Sequence, residues 1–99
     1  MVRVFKTGPD LFVPSAFTPN GDGRNDVIRP VGVGIATLQY FRIYNRWGQL
    51  LFSTSQTGKG WDGMFNSTPQ PPGTYVFEAV GTDQLGNRVY KKGTIVLIR

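Results

Sequence analysis

The segment Tyr40-Phe41-Arg42-Ile43-Tyr44-Asn45-Arg46-Trp47-Gly48-Gln49 alternates apolar and polar side chains and then breaks at a turn. A period of two belongs to a strand, with the Phe41/Ile43 face toward a core and the Tyr40/Arg42/Tyr44 face toward water. Gly48 suits the left-handed residue that follows a type I turn in a bulged hairpin, so the chain folds back onto a second apolar strand at Gln49 to Ser53. Tyr75, Phe77 and Ala79 alternate in the same way with Val76, Glu78 and Val80, and Leu85-Gly86-Asn87 marks a second hairpin. Working outward, the same period predicts strands near Val2 to Phe5, Leu11 to Phe17, Val27 to Val33, Leu38 to Asn45, Gln49 to Ser53, Thr74 to Gly81, and Arg88 to Ile98. No segment has a helical period. Short strands at this density predict an all-β fold: a small immunoglobulin-like antiparallel β-sandwich of about seven strands, without the usual Cys pair.

Composition agrees with many strands and many turns. Gly and Pro contribute 13 and 7 of the 99 residues, and aromatics make up 13 percent. A chain this long is one domain, and it buries roughly two-thirds of its unfolded surface, enough for a single core. Zero Cys removes disulfides, thiol nucleophiles and thiolate metal sites. Zero His removes the imidazole on which most hydrolytic triads and zinc sites depend. The longest aliphatic run is Ile95 to Ile98, far below the roughly 20 residues of a membrane-spanning helix. The net charge of +5 favours an anionic partner or surface. Residues 1–10 read as a boundary, with Met1 an added start, Val2 to Phe5 an edge strand, and Thr7-Gly8-Pro9-Asp10 a linker or turn. Residues 11–99 read as the domain.

Three constellations are candidates for function. In Thr18-Pro19-Asn20-Gly21-Asp22-Gly23-Arg24-Asn25-Asp26, oxygen side chains at Asn20, Asp22 and Asp26 partly match a calcium-binding loop. Thr18 stands where an Asp should open that loop and Arg29 where a Glu should close it. The alternative is a tight turn whose side chains bond their own backbone. The second constellation is Arg46 and Trp47 with Gly60-Trp61-Asp62-Gly63. Trp beside Arg is hot-spot chemistry for partner recognition, and the alternative for Trp47 and Trp61 is a lid on the core. The third is the basic final strand, whose Lys91, Lys92 and Arg99 form either a docking stripe for an acidic partner or protection against edge-to-edge aggregation. The Tyr/Arg strand face lacks a nucleic-acid-binding motif. Catalytic residues and cofactors other than Ca²⁺ are not expected.

The ordered set Ala16-Phe17-Thr18-Pro19-Asn20-Gly21-Asp22-Gly23-Arg24-Asn25-Asp26, Phe41-Arg42-Ile43-Tyr44-Asn45-Arg46-Trp47-Gly48, Gly60-Trp61-Asp62-Gly63, Pro72-Gly73-Thr74-Tyr75 and Lys92-Gly93-Thr94-Ile95-Val96-Leu97-Ile98-Arg99 resembles one family. It is similar to the gliding-motility-associated C-terminal domain, the type B sorting signal of type IX secretion in Bacteroidota. The resemblance runs from about Leu11 to Arg99. It implies a non-enzymatic, monomeric export address on a larger cargo protein, carried through the periplasm and outer membrane to the cell surface or medium. It also implies the type IX secretion machinery as partner, through an outer-membrane SprF/PorP-like protein, and Arg99 as the natural C-terminus. The competing reading is an extracellular adhesion or glycan-binding sandwich, stabilised by calcium.

Overall fold

The computed structural model describes residues 9–19, 21 and 26–99. These residues form nine strands: β1 (Asp10–Phe12), β2 (Ala16–Phe17), β3 (Val31–Val33), β4 (Ile35–Tyr44), β5 (Leu50–Thr54), β6 (Met64–Phe65), β7 (Thr68–Pro69), β8 (Gly73–Asp83) and β9 (Arg88–Leu97). One sheet of order β2-β9-β8-β4-β5 carries the three long strands, and β1-β3 and β6-β7 form two small sheets. All pairings are antiparallel except β2 with β9, where Ala16 lies beside Val96 and Phe17 beside Leu97. The all-β sandwich is as expected, with a parallel edge strand added.

The alternation read from sequence places the core. Phe41 and Ile43 of β4, Phe77 and Ala79 of β8, and Ile95 and Leu97 of β9 are buried in one cluster with Leu11, Phe17, Ile28 and Trp61. The second layer is therefore built largely from short segments around Leu11, Ile28 and Trp61. Ile28 and Trp61 exchange both backbone hydrogen bonds, each 2.9 Å long. Gly60 makes that approach possible, because a Cβ there would lie 2.6 Å from the Ile28 carbonyl oxygen.

The seven expected strands differ from the nine described ones for local reasons. The Val2 to Phe5 expectation falls outside the described residues. Leu11 to Phe17 divides into β1 and β2 around Pro14, and Val27 to Val33 divides at Pro30, leaving Ile28 as an isolated bridge. Proline has no N–H to donate to a ladder. The β6-β7 hairpin was not legible, because it has two residues per strand and a turn at Asn66-Ser67 with both φ positive, 53° and 64°. Val80, expected on the wet face, is fully buried. It lies in register between Tyr40 and Tyr90, two large cross-strand neighbours.

The remaining outer face is organised around one carboxylate. Tyr90 donates its hydroxyl to Glu78 Oε2 at 2.7 Å, and Tyr44 donates to Oε1 at 3.0 Å. The two hydrogen bonds, Tyr90's foremost, hold the Glu78 carboxyl below its ordinary range, with help from the positive charges of Lys92 and Arg42. The Arg42 guanidinium stacks 3.9 Å above the Tyr40 ring.

Two predictions follow from this packing. Gly60→Ala should destabilise the fold by about 1 to 3 kcal/mol, the range for inserting a methyl into packed space, with loss of hydrogen-exchange protection at the Ile28 and Trp61 amides. Denaturant unfolding and amide exchange check both. Because Glu78 titrates lower in the folded than in the unfolded chain, its contribution is complete above its ordinary value of 4.5 and disappears as pH falls through the folded value. Glu78→Gln should therefore melt below wild type at about pH 6, with the difference closing near pH 3, as thermal melts across that window would show.

Candidate recognition site at a hairpin tip

Asn45 and Gly48 fix the β4-β5 turn. Asn45 N–H donates to the Gln49 carbonyl and Gly48 N–H to the Asn45 carbonyl, both at 3.0 Å. The Asn45 side-chain oxygen accepts the Trp47 amide at 3.0 Å and the Gln49 amide at 2.9 Å, while its amide nitrogen donates to Gln49 Oε1 at 3.0 Å. Gly48 takes φ 86°, a left-handed conformation that favours glycine.

The β8-β9 hairpin repeats this design. Asp83 N–H donates to the Asn87 carbonyl and Gly86 N–H to the Asp83 carbonyl. The Asp83 carboxylate accepts the Leu85 and Asn87 amides at 2.9 and 2.8 Å. Those hydrogen bonds, led by the Asn87 amide, hold its carboxyl below the ordinary range. The two positions between anchor and glycine hold Gln84 and Leu85 in this turn and Arg46 and Trp47 in the other. The turn geometry thus demands neither Arg nor Trp.

Trp47 is 78% exposed. Its ring lies 4.9 Å from the Arg46 guanidinium. The tip forms one wall of a cleft of about 110 Å³. The Pro71-Pro72 connector, Gly73 and Thr74 of β8, and the buried Tyr75 also line it. Tyr75 donates its hydroxyl to the Pro71 carbonyl, which ties the connector to β8. Burial pushes the Tyr75 phenol above its ordinary range, and the positive charges of Arg99 and Arg46 only partly offset that. The connector wall was not legible, since nothing local in Pro71 or Pro72 announces a partner more than twenty residues away in sequence.

The other expected site residues lie elsewhere. Trp61 is corrected from a recognition residue to a core residue: it is 1% exposed, with its ring 5.6 Å from Phe17 and 5.1 Å from Tyr75. Its indole N–H donates to the Met64 carbonyl at 2.8 Å. Asp62 caps the Met64 amide at 3.0 Å, so the Gly-Trp-Asp-Gly segment has a structural use at each step. Lys91 pairs with Asp10 at 3.2 Å, whereas the adjacent Lys92 is in register with Glu78 on the opposite face. The final strand therefore offers no single basic stripe. Arg99 donates to the Gln70 carbonyl at 2.9 Å and to the Gly63 carbonyl at 3.1 Å, clamping the ends of the β6-β7 hairpin.

Of the proposed calcium loop, Asn20 and Asp22 lie outside the described residues. Asp26 Oδ1 accepts the Gly21 amide at 2.9 Å, an arrangement that braces the turn. Among the described residues no group of three or more Asp, Glu, His or Cys side chains could hold a metal ion, and no helix is long and apolar enough to cross a membrane.

Comparison with curated proteins returns no match to this chain. The model of one family, the CHU_C type IX secretion signal domain, matches residues 11–97. That span reaches from within β1 to the last residue of β9 and takes in the whole sandwich, the Arg46–Trp47 tip and the Trp61 bridge. The chain belongs to the family of CHU_C type IX secretion signal domains.

Proposed function

We propose that this domain works without catalysis as the export address of a larger cargo protein, and that the Arg46–Trp47 tip is the part the machinery reads. Family membership supports the signal role. The observation that carries the tip assignment is the pair of like-built turns, one presenting Gln84 and an 86% exposed Leu85, the other a 78% exposed Trp beside the Arg46 guanidinium at the mouth of a cleft. An aromatic and a planar cation are the side chains that contribute most when an interface desolvates them. The partner is an outer-membrane protein of the SprF/PorP-like kind, met in the periplasm, and the destination is the cell surface or medium. Asn45 and Gly48 hold the tip backbone in place, which lowers the ordering cost of docking.

A periplasmic reporter fused to residues 11–99 should leave a type IX-competent host. Arg46→Ala with Trp47→Ala should reduce that export severely, since hot-spot truncation typically costs about 2 kcal/mol or more in binding. Its unfolding free energy should stay within about 0.5 kcal/mol of wild type, as for surface positions. Gln84→Ala with Leu85→Ala should change neither quantity. Trp61→Ala should instead lose about 3 to 5 kcal/mol of stability. Undiminished export by a folded Arg46/Trp47 variant would remove the tip from recognition, and retention of the wild-type fusion in the periplasm would favour the adhesion reading.

A further inference from the structure

The cleft beside the tip is also a gap in the main sheet. The β4-β8 ladder runs from Ile35 and Asp83 to Tyr44 and Val76, and there the chain of β4 turns away at Asn45. Strand β8 extends three residues further. Gly73, Thr74 and Tyr75 remain paired with Leu97, Val96 and Ile95 of β9 on one side, and among the described residues no strand pairs with them on the other. Gly73, Thr74 and Tyr75 all line the cleft. The space is thus the continuation of the β4 lane, bounded by the tip on one side and by two prolines on the other.

We infer that this gap receives the end of an extended, carboxylate-bearing segment of a partner protein, which adds to the free edge of β8 while its carboxylate meets Arg46 and a neighbouring side chain packs on Trp47. The assignment rests on the recognition role proposed for the tip and names the chemistry that the tip would read. A short strand satisfies the unpaired backbone edge, the mode by which extended peptides commonly join exposed sheet edges. Charge selects the acid: the lining contains Arg46 and no Asp or Glu. Arg99 adds positive potential in the same place, since both guanidinium groups act on the Tyr75 phenol. Shape selects a short insertion. A cleft of about 110 Å³ is small, so one residue enters while its neighbours lie along the rim. Pro71 and Pro72 offer no N–H to compete with β8 for the ligand's carbonyl groups.

The outer face of the main sheet fits this ligand less well. On the outer face the Tyr40 ring is already covered by Arg42, and both oxygens of Glu78 are engaged by tyrosines, so that face places a carboxylate where an acidic segment would be repelled.

Two blocked pentapeptides test the inference by nitrogen-15 NMR on the full chain: acetyl-Thr-Val-Glu-Val-Thr-amide and its Gln counterpart, titrated into the millimolar range. The Glu peptide should shift the Gly73, Thr74 and Tyr75 amides and the Trp47 indole N–H. It should bind about tenfold more tightly than the Gln peptide, and raised salt or Arg46→Gln should abolish that preference. Equal binding of the two peptides, no shifts at Gly73 to Tyr75, or shifts centred on Tyr40 and Tyr90 would each overturn it. Export lost in the Arg46/Trp47 variant while neither peptide binds would leave tip recognition standing and remove the acidic strand. Glu-selective binding with undiminished export would do the reverse.

Discussion

Trp61 is the interaction on which the second layer of the sandwich depends. Its backbone pairs with Ile28, its indole N–H holds Met64, and its ring packs on Phe17 and Tyr75. Those four partners come from β2, an isolated bridge, β6 and β8, segments that are mostly too short to form a sheet by themselves. A two-residue strand contributes little alone, and two-stranded pieces are marginal in water. Large aromatic area buried at one point offsets that weakness, because a Trp side chain removes more apolar surface from water than any neighbour could. Tyr75 carries the effect outward: its ring packs against Trp61 at an interplanar angle of 63°, while its hydroxyl fixes the Pro71 connector that lines the cleft.

The two faces of the main sheet follow different physics. The inner face is aliphatic and aromatic and derives its stability from burial. On the outer face, Val80 is buried in register between Tyr40 and Tyr90, guanidinium groups lie over tyrosines, and the hydroxyls of Tyr44 and Tyr90 converge on Glu78. Such a lattice keeps an exposed face polar while shielding apolar atoms beneath it. Cross-strand pairs of this kind contribute individually about 0.2 to 1 kcal/mol, so the face tunes stability more than it determines the fold.

How much of this was legible in the sequence depended on how local the cause was. The alternation of Phe41 with Ile43 and of Phe77 with Ala79 named the core face of the long strands, and Gly48 and Gly86 marked their turns. Trp61 was ambiguous because an indole beside glycines and an Asp suits a surface loop as well as a core, and only the long-range bridge to Ile28 decides. The Arg99 clamp and the separation of Lys91 from Lys92 likewise follow from tertiary register rather than from any local pattern. Pro14 and Pro30 are plain in the sequence, but a proline divides a strand only where its missing N–H faces a partner strand, and that partner is set by tertiary pairing.

The two hairpins show how one backbone solution can be put to separate uses. In each, a side-chain carbonyl or carboxylate oxygen gathers the amides ahead of it, and a left-handed glycine closes the loop. Once those positions are fixed, the two tip residues are free of structural demand and can vary without cost to the fold. At the β8-β9 tip they are Gln84 and Leu85. At the β4-β5 tip they are Arg46 and Trp47, placed where the main sheet runs out of partners for β8. An exposed Arg–Trp pair and, among the described residues, an unpaired strand edge thus coincide at one of two similarly built turns. In the proposed reading that coincidence lets a folded domain be read without opening, since side chain and backbone are both presented by elements that the core already holds rigid.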